Sequence, residues 1–137
     1  MPQDPRPGIH VVAGALFDAD GRVLIAQRPD GKHMAGGWEF PGGKLEAGEQ
    51  PLAGLKRELR EELGVETLAA QPLIAYEHEY PTRRVLLDLW LVTAFTGEPA
   101  SIEGQPLKWV SLSELDTVGL LEADRPMIAA LRVARGA

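Results

Sequence analysis

Between Pro29 and Gly48 the chain places six glycines and two prolines in twenty residues, and a leucine-patterned run follows at once. So much glycine and proline interrupts any long helix or strand there. Loops without function are rarely so long or so dense in special backbone residues. This segment, which also holds Trp38 and Phe40, is therefore the first place to look for a site. The run behind it reads as a helix. Pro51 suits a first helical position, Gly64 suits the residue past the end, and Leu52, Leu55, Leu59 and Leu63 recur at helical spacing. Gln50 is a weak N-cap, and Gly54 costs about 1 kcal/mol relative to alanine, so tertiary packing must hold this helix.

The rest of the chain mixes strands with one more helix. The first seven residues hold three prolines and, with Gly8, are read as a loose N-terminal arm (1–8) ahead of one domain (9–137). Ile9–Phe17 and Arg22–Arg28 flank an Asp18-Ala19-Asp20-Gly21 turn, which predicts a hairpin. Strands are expected near Gln71–Glu79, Val85–Phe95 and Leu107–Val110. In the second of these, Val85, Leu87, Leu89 and Leu91 share one face, and Leu86, Asp88, Trp90 and Val92 the other. A last helix is expected over Pro126–Ala134. This order predicts an α/β fold around a mixed sheet.

Composition removes several function classes. With 137 residues, the chain is sized for one core. Fourteen basic against twenty acidic residues give a net charge of −6, which argues against a phosphate-tracking nucleic-acid binder. The absence of cysteine excludes a disulfide framework, a thiol nucleophile and a thiolate metal site. Any metal must then sit on oxygen or imidazole. Neither a signal-peptide run nor a stretch of membrane-spanning length is present, so a soluble cytoplasmic protein without a membrane partner is expected.

The acidic residues of the first helix carry the chemistry. Glu58, Glu61 and Glu62 stand at i, i+3 and i+4, where like charges repel by a few tenths of a kcal/mol per pair. A hard divalent cation, which prefers carboxylate and carbonyl oxygen, reverses that cost. Alone, such a run would be a solvated acidic face. Its order says more. From Gly43, five residues lead to Glu49, and seven more lead to Arg57-Glu58-Leu59-Arg60-Glu61-Glu62-Leu63-Gly64-Val65. At usual residue frequencies the fixed positions would match by chance on the order of once in 10⁸ starts. The segment is identified as the signature box of the Nudix hydrolases. Trp38-Glu39-Phe40-Pro41-Gly42-Gly43-Lys44, Gln27-Arg28, Gly97-Glu98-Pro99, Glu103-Gly104-Gln105 and Pro126-Met127-Ile128 resemble the MutT branch in order and spacing.

The resemblance implies an α/β/α sandwich and hydrolysis of a nucleoside triphosphate to the monophosphate and pyrophosphate. It implies Mg²⁺, with Mn²⁺ as a substitute, held by Glu62 and the Gly42 carbonyl and completed by Glu58, Glu61 and Glu103. Glu58 is the usual candidate to orient or deprotonate the water, while Glu103 serves as ligand or base. Glu61 joins them in the catalytic set. Gly43 and the Glu49–Arg57 pair would support the box by locking loop to helix. Arg28 matches a position facing the phosphates, Glu39 one near the substrate, and Lys44 and His33, in the same loop, are further substrate-binding candidates. In the MutT enzymes that remove oxidised dGTP, an asparagine before the last helix reads the base; the matching residue here is Asp124.

Asp124 opens two readings. An ionised carboxylate only accepts, which suits the amino group of cytosine, whereas 8-oxoguanine needs a donor to O6 and an acceptor for N7–H. A third role is capping the last helix. The leading expectation is 8-oxo-dGTP hydrolysis, with a CTP or dCTP pyrophosphohydrolase as alternative and a non-catalytic Nudix-fold binding module as the remaining class. Trp38, Phe40 and Tyr80 could stack on a base or lie in the core, Arg83 and Arg84 could reach substrate or solvent, and His10 and His78 read as strand residues. The pattern sets no oligomeric state, so monomer and dimer both stay open.

Overall fold

The computed structural model describes residues 8–28 and 34–136. The leucine stripe folds as expected into α1 (Pro51–Leu63), with Leu55, Leu59 and Leu63 fully buried. Gln50 makes no side-chain cap, and Gly64 closes the helix at φ +71° with its N–H on the Arg60 carbonyl. Packing explains the glycine inside it: a Cβ at Gly54 would stand 2.2 Å from Leu45 and 2.9 Å from the Glu49 carboxylate. The helix forfeits propensity there so that the glycine-rich segment can lie against it.

Among the described residues, seven strands form two sheets. β1 (Gly8–Ala15) runs parallel to β6 (Arg83–Thr96) and antiparallel to β4 (Gly42–Lys44); β5 (Glu66–Tyr80) completes the order β4-β1-β6-β5. β2 (Val23–Gln27) lies between β3 (Trp38–Glu39) and β7 (Leu107–Val110) in an antiparallel sheet. Gly8, assigned to the arm by sequence, is already paired with Arg84 as the first residue of β1. The remaining arm residues lie outside the described ones.

The mixed sheet packs helices on both faces, and alternation in β6 explains why. Val85, Leu87, Leu89 and Leu91 join one core with Ala13, Ala15 and the α2 (Pro126–Ala134) residues Met127, Ile128 and Leu131. Val92, with Trp90 packed beside it, joins Val12 and the leucines of α1. A strand buried on both sides needs apolar residues at nearly every position, as this one has.

Three expectations change. The Asp18–Gly21 turn forms, with Asp18 Oδ1 accepting the N–H groups of Asp20 at 3.0 Å and Arg22 at 2.8 Å. Its flanks meet only in a Phe17–Val23 bridge and a Leu24 N–H to Leu16 carbonyl bond, then separate into different sheets. The cause is competition: β4 and β6 occupy the two edges of β1. The Gly/Pro segment is also not wholly loop, since it contributes β3 and β4. β5 begins five residues earlier than its apolar pattern suggests. Bulges near Thr67, Ala69 and Pro72 break the alternation, and Pro72 is tolerated because β5 is an outer strand.

The contact between β4 and β1 is the tightest place for a side chain. A Cβ on Gly42 would meet the Val12 carbonyl oxygen at 2.0 Å and the Ala13 Cα at 2.6 Å, both backbone. Neither Gly42 nor Gly43 has a positive φ, so closeness rather than conformational freedom demands glycine. Gly42→Ala is therefore expected to cost about 3 kcal/mol, lowering the melting temperature by roughly 10 °C. A thermal melt within two degrees of the parent would show that β4 can move off β1.

Candidate active site

Arg57 organises the acidic end of α1. Its Nε and Nη2 donate to the two Glu49 oxygens at 2.7 and 2.9 Å, and Nη2 also donates to the Lys44 carbonyl at 3.1 Å. Nη1 reaches Glu58 at 2.9 Å and Glu61 at 3.1 Å. One guanidinium thus fastens the loop to the helix and offsets the repulsion between two glutamates. These hydrogen bonds, with one from the Glu46 N–H, hold the Glu49 carboxyl down to about 2.

Glu62 has no such partner in Arg57. Its Oε2 accepts only the Gly42 N–H, at 3.3 Å, among the bonds of the described residues. Burial, then the charges of Glu58, Glu103 and Glu39, push its carboxyl up to about 8. Burial also raises Glu58, against the pull of Arg57. The Glu58 carboxyl fills the space over Gly43, where a Cβ would come within 2.6 Å of all three of its carboxyl atoms. Buried carboxylates facing one another cannot all stay ionised without a cation. The carboxylate oxygens are hard donors, so a divalent cation fits them. Among the described residues no three acidic or histidine side chains converge into a closed cage. Mg²⁺ does not need one, because it keeps waters and shares substrate phosphates.

A second loop brings in Glu103. The Ala100 N–H donates to the Leu63 carbonyl at 3.0 Å, the Ile102 N–H to the Glu62 carbonyl at 3.2 Å, and Gln105 Nε2 to that same carbonyl at 3.3 Å. The loop therefore caps the last turn of α1, and the Glu103 charge acts on both Glu58 and Glu62. Gln105, buried and held by Ser101, also lines the cleft, and in the sequence only its place in Glu103-Gly104-Gln105 points to it.

Glu58, Glu61, Glu62, Glu103 and Gln105 open on one cleft of about 830 Å³. Arg28, Glu39, Gly42, Gly43, Lys44, Glu58, Glu61, Glu62, Glu103 and Asp124 line it. Glu49 and Arg57 stand behind the wall as support, and His33 lies outside the described residues. Arg28 Nε donates to Glu39 at 3.1 Å, so the pair that faces the cleft is already ordered. Tyr80 and Arg83 line the cleft, with the Arg83 guanidinium 5.0 Å from the Tyr80 ring centroid. Phe40 is buried and also contributes to the wall. Trp38 does not; Lys108 covers its ring at 5.0 Å. His10 bonds to Asp88 at 2.9 Å outside the lining.

Asp124, which also lines the cleft, has 7% of its surface exposed. It closes a 3₁₀ turn (Glu122–Asp124), and its Oδ2 accepts the Phe40 N–H at 3.2 Å. It does not cap α2, whose first turn has Arg125 at the N-cap and no side-chain cap bond. Burial, together with the Glu39 charge, raises its carboxyl to about 7. Tyr76 was not recognised in the sequence as belonging here. Its hydroxyl donates to the Ala123 carbonyl at 2.5 Å, beside Asp124. Only the register of β5 against β6 could have revealed it.

Comparison with known proteins agrees with this geometry. A family model described as the NUDIX domain matches residues 12–130. An 8-oxo-dGTP diphosphatase of Escherichia coli is 37% identical over 124 residues, covering 90% of this chain and 96% of that protein. A CTP pyrophosphohydrolase of the same organism is 40% identical over 129 residues, covering 94% and 95%. A solved structure from a study of MutT from Aliivibrio salmonicida and Vibrio cholerae superposes with a TM-score of 0.80 at 38% identity, covering 93% of this chain and 98% of the other.

Proposed function

The chain belongs to the Nudix family, hydrolases of nucleotide anhydrides that generally use a divalent metal, and from that premise we propose that it converts 8-oxo-dGTP to 8-oxo-dGMP and pyrophosphate with Mg²⁺. Such a reaction removes an oxidised precursor before it can enter DNA. The observation that carries the base assignment is Asp124: a buried carboxyl raised to about 7, in the cleft that also holds the acidic cluster. In its neutral form it donates from one oxygen to O6 and accepts N7–H on the other, which is the pattern 8-oxoguanine presents.

Glu62, Glu58, Glu61 and Glu103, with the Gly42 carbonyl, would hold the Mg²⁺, and Mn²⁺ could replace it. When bound, the cation neutralises phosphate oxygens and lowers the pKa of a bound water. Glu58 orients or deprotonates that water, with Glu103 the other candidate for the proton. Arg28 and Lys44 face the phosphates and supply positive charge in an otherwise acidic cleft. Glu39 keeps Arg28 aligned through their 3.1 Å bond, and Arg57 with Glu49 holds helix and loop in register. Positioning and charge neutralisation are most of what phosphoryl chemistry requires. A small nucleoside triphosphate is thus the partner, and no nucleic acid or membrane is needed.

A second reading, cytosine nucleotides, is favoured by the ionised form of Asp124, which accepts from an exocyclic amino group. The two readings give an expected pH effect. The ratio of kcat/KM for 8-oxo-dGTP to that for dCTP should fall by up to about three-hundredfold from pH 6 to pH 8.5, because one substrate uses neutral Asp124 and the other its anion, and the ratio of those two forms changes tenfold per pH unit. Groups acting on the common phosphates cancel in the ratio. The measurement is steady-state pyrophosphate release for 8-oxo-dGTP, dGTP, dCTP and CTP at fixed free Mg²⁺. A cytosine preference at every pH would replace the first reading with the second, and a pH-independent ratio would remove Asp124 from base recognition.

A further inference from the structure

The turn that carries Asp124 is short, with Ala123 and the flanking Leu120 buried in the core. Residues 122–124 form one 3₁₀ turn, and the helix after it has no side-chain cap. Two hydrogen bonds tie the turn to the β3 segment: the Leu121 N–H donates to the Trp38 carbonyl at 2.8 Å, and the Phe40 N–H to the Asp124 carboxylate at 3.2 Å. β3 itself has only two residues. Towards the mixed sheet, the apolar packing of Leu120 and Ala123 sets no exact position, and the Tyr76 hydroxyl adds a directional hydrogen bond to the Ala123 carbonyl. Tyr76 stands opposite Leu87 in the β5–β6 register and packs on the core beneath the cleft. Burial, with Asp124 nearby, raises its phenol, so it remains a donor throughout the working range.

We infer that Tyr76 is a positioning residue for base discrimination: it fixes Ala123, and through it the Asp124 carboxyl, relative to the sheet that forms the cleft floor. The inference rests on the reading of Asp124 as the group that contacts the base. Two hydrogen bonds to one base edge demand placement within about half an ångström, which a two-residue strand alone cannot enforce. Tyr76 touches neither the acidic cluster nor the phosphates, so its effect belongs to binding and selectivity rather than to the chemical step.

Tyr76→Phe separates this role from simple packing, since the ring keeps its apolar contacts and only the hydroxyl is lost. KM for 8-oxo-dGTP is expected to rise about three- to tenfold, and the preference over dGTP to fall by a similar factor, with kcat within about twofold. Asp124→Ala is measured alongside, with a thermal melt for each variant. If Asp124→Ala changes the base preference and Tyr76→Phe changes only the melting temperature, Tyr76 is structural and the inference fails. If Asp124→Ala leaves the preference intact, the reading of Asp124 itself fails and the inference with it.

Discussion

Glu58→Gln is expected to lower kcat about a thousandfold while leaving the melting temperature within a few degrees. The magnitude is that of losing a general base or the group that aims the attacking water. The substitution keeps the size and shape of the side chain, so the space over Gly43 stays filled and the amide oxygen still accepts from Arg57. What disappears is the charge and the ability to take a proton. Glu103→Gln, measured beside it, assigns the base: the variant whose acidic pH limb disappears from the kcat profile carries the proton. The same pair tests the enzyme reading against a binding module. An enzyme loses turnover but retains affinity for a non-hydrolysable triphosphate, whereas a binding module shows no turnover in the parent. Activity within tenfold of the parent for both variants would remove these two carboxylates from the water-activating role.

Much of this architecture was legible because it is local. Pro51, the leucine stripe and Gly64 define α1 without reference to the rest of the chain, and the near-continuous apolar run of β6 announces a strand buried on both faces. The acidic constellation was legible because its spacing lies within one helix and the loop before it. What escaped depends on long-range pairing. The Asp18–Gly21 turn signals a hairpin, yet cannot say that β4 and β6 will take both edges of β1. Asp124 offers its residue type but not its surroundings; a cap and a buried acid look alike until Phe40, 84 residues away in sequence, is placed beside it. Gln105 and Tyr76 act through hydrogen bonds to backbone carbonyls, and such bonds leave no pattern in the sequence of either partner.

Glu62→Gln should abolish the stabilisation of the protein by Mg²⁺ and reduce turnover about a hundredfold, and it should do so with a distinctive pH signature. In the metal-free protein the folded-state value of about 8 lies above the ordinary 4.5. Between these two values the folded chain holds a proton that the unfolded chain has released. Stability is therefore greatest below about pH 4.5 with respect to this group, and is lost as pH rises towards 8, by a few kcal/mol in all. Asp124, raised to about 7, adds a loss of the same sign that ends earlier. A divalent cation on the Glu62 carboxylate favours the ionised form and restores stability by mass action. Melting curves from pH 5 to pH 8.5, in EDTA and in excess Mg²⁺, read both effects. The parent in EDTA should melt progressively lower with rising pH, and Mg²⁺ should recover most of the loss near pH 8. Glu62→Gln in EDTA should melt higher than the parent at pH 8, because an amide has no charge to bury, and should gain little from Mg²⁺. This combination of a stabilised metal-free protein and lost activity separates a ligand from a packing residue, whose replacement would lower the melting temperature at every pH. Should the variant keep the pH slope and the Mg²⁺ response of the parent, Glu62 does not hold the metal, and the buried carboxylate at the Gly42 amide needs another explanation.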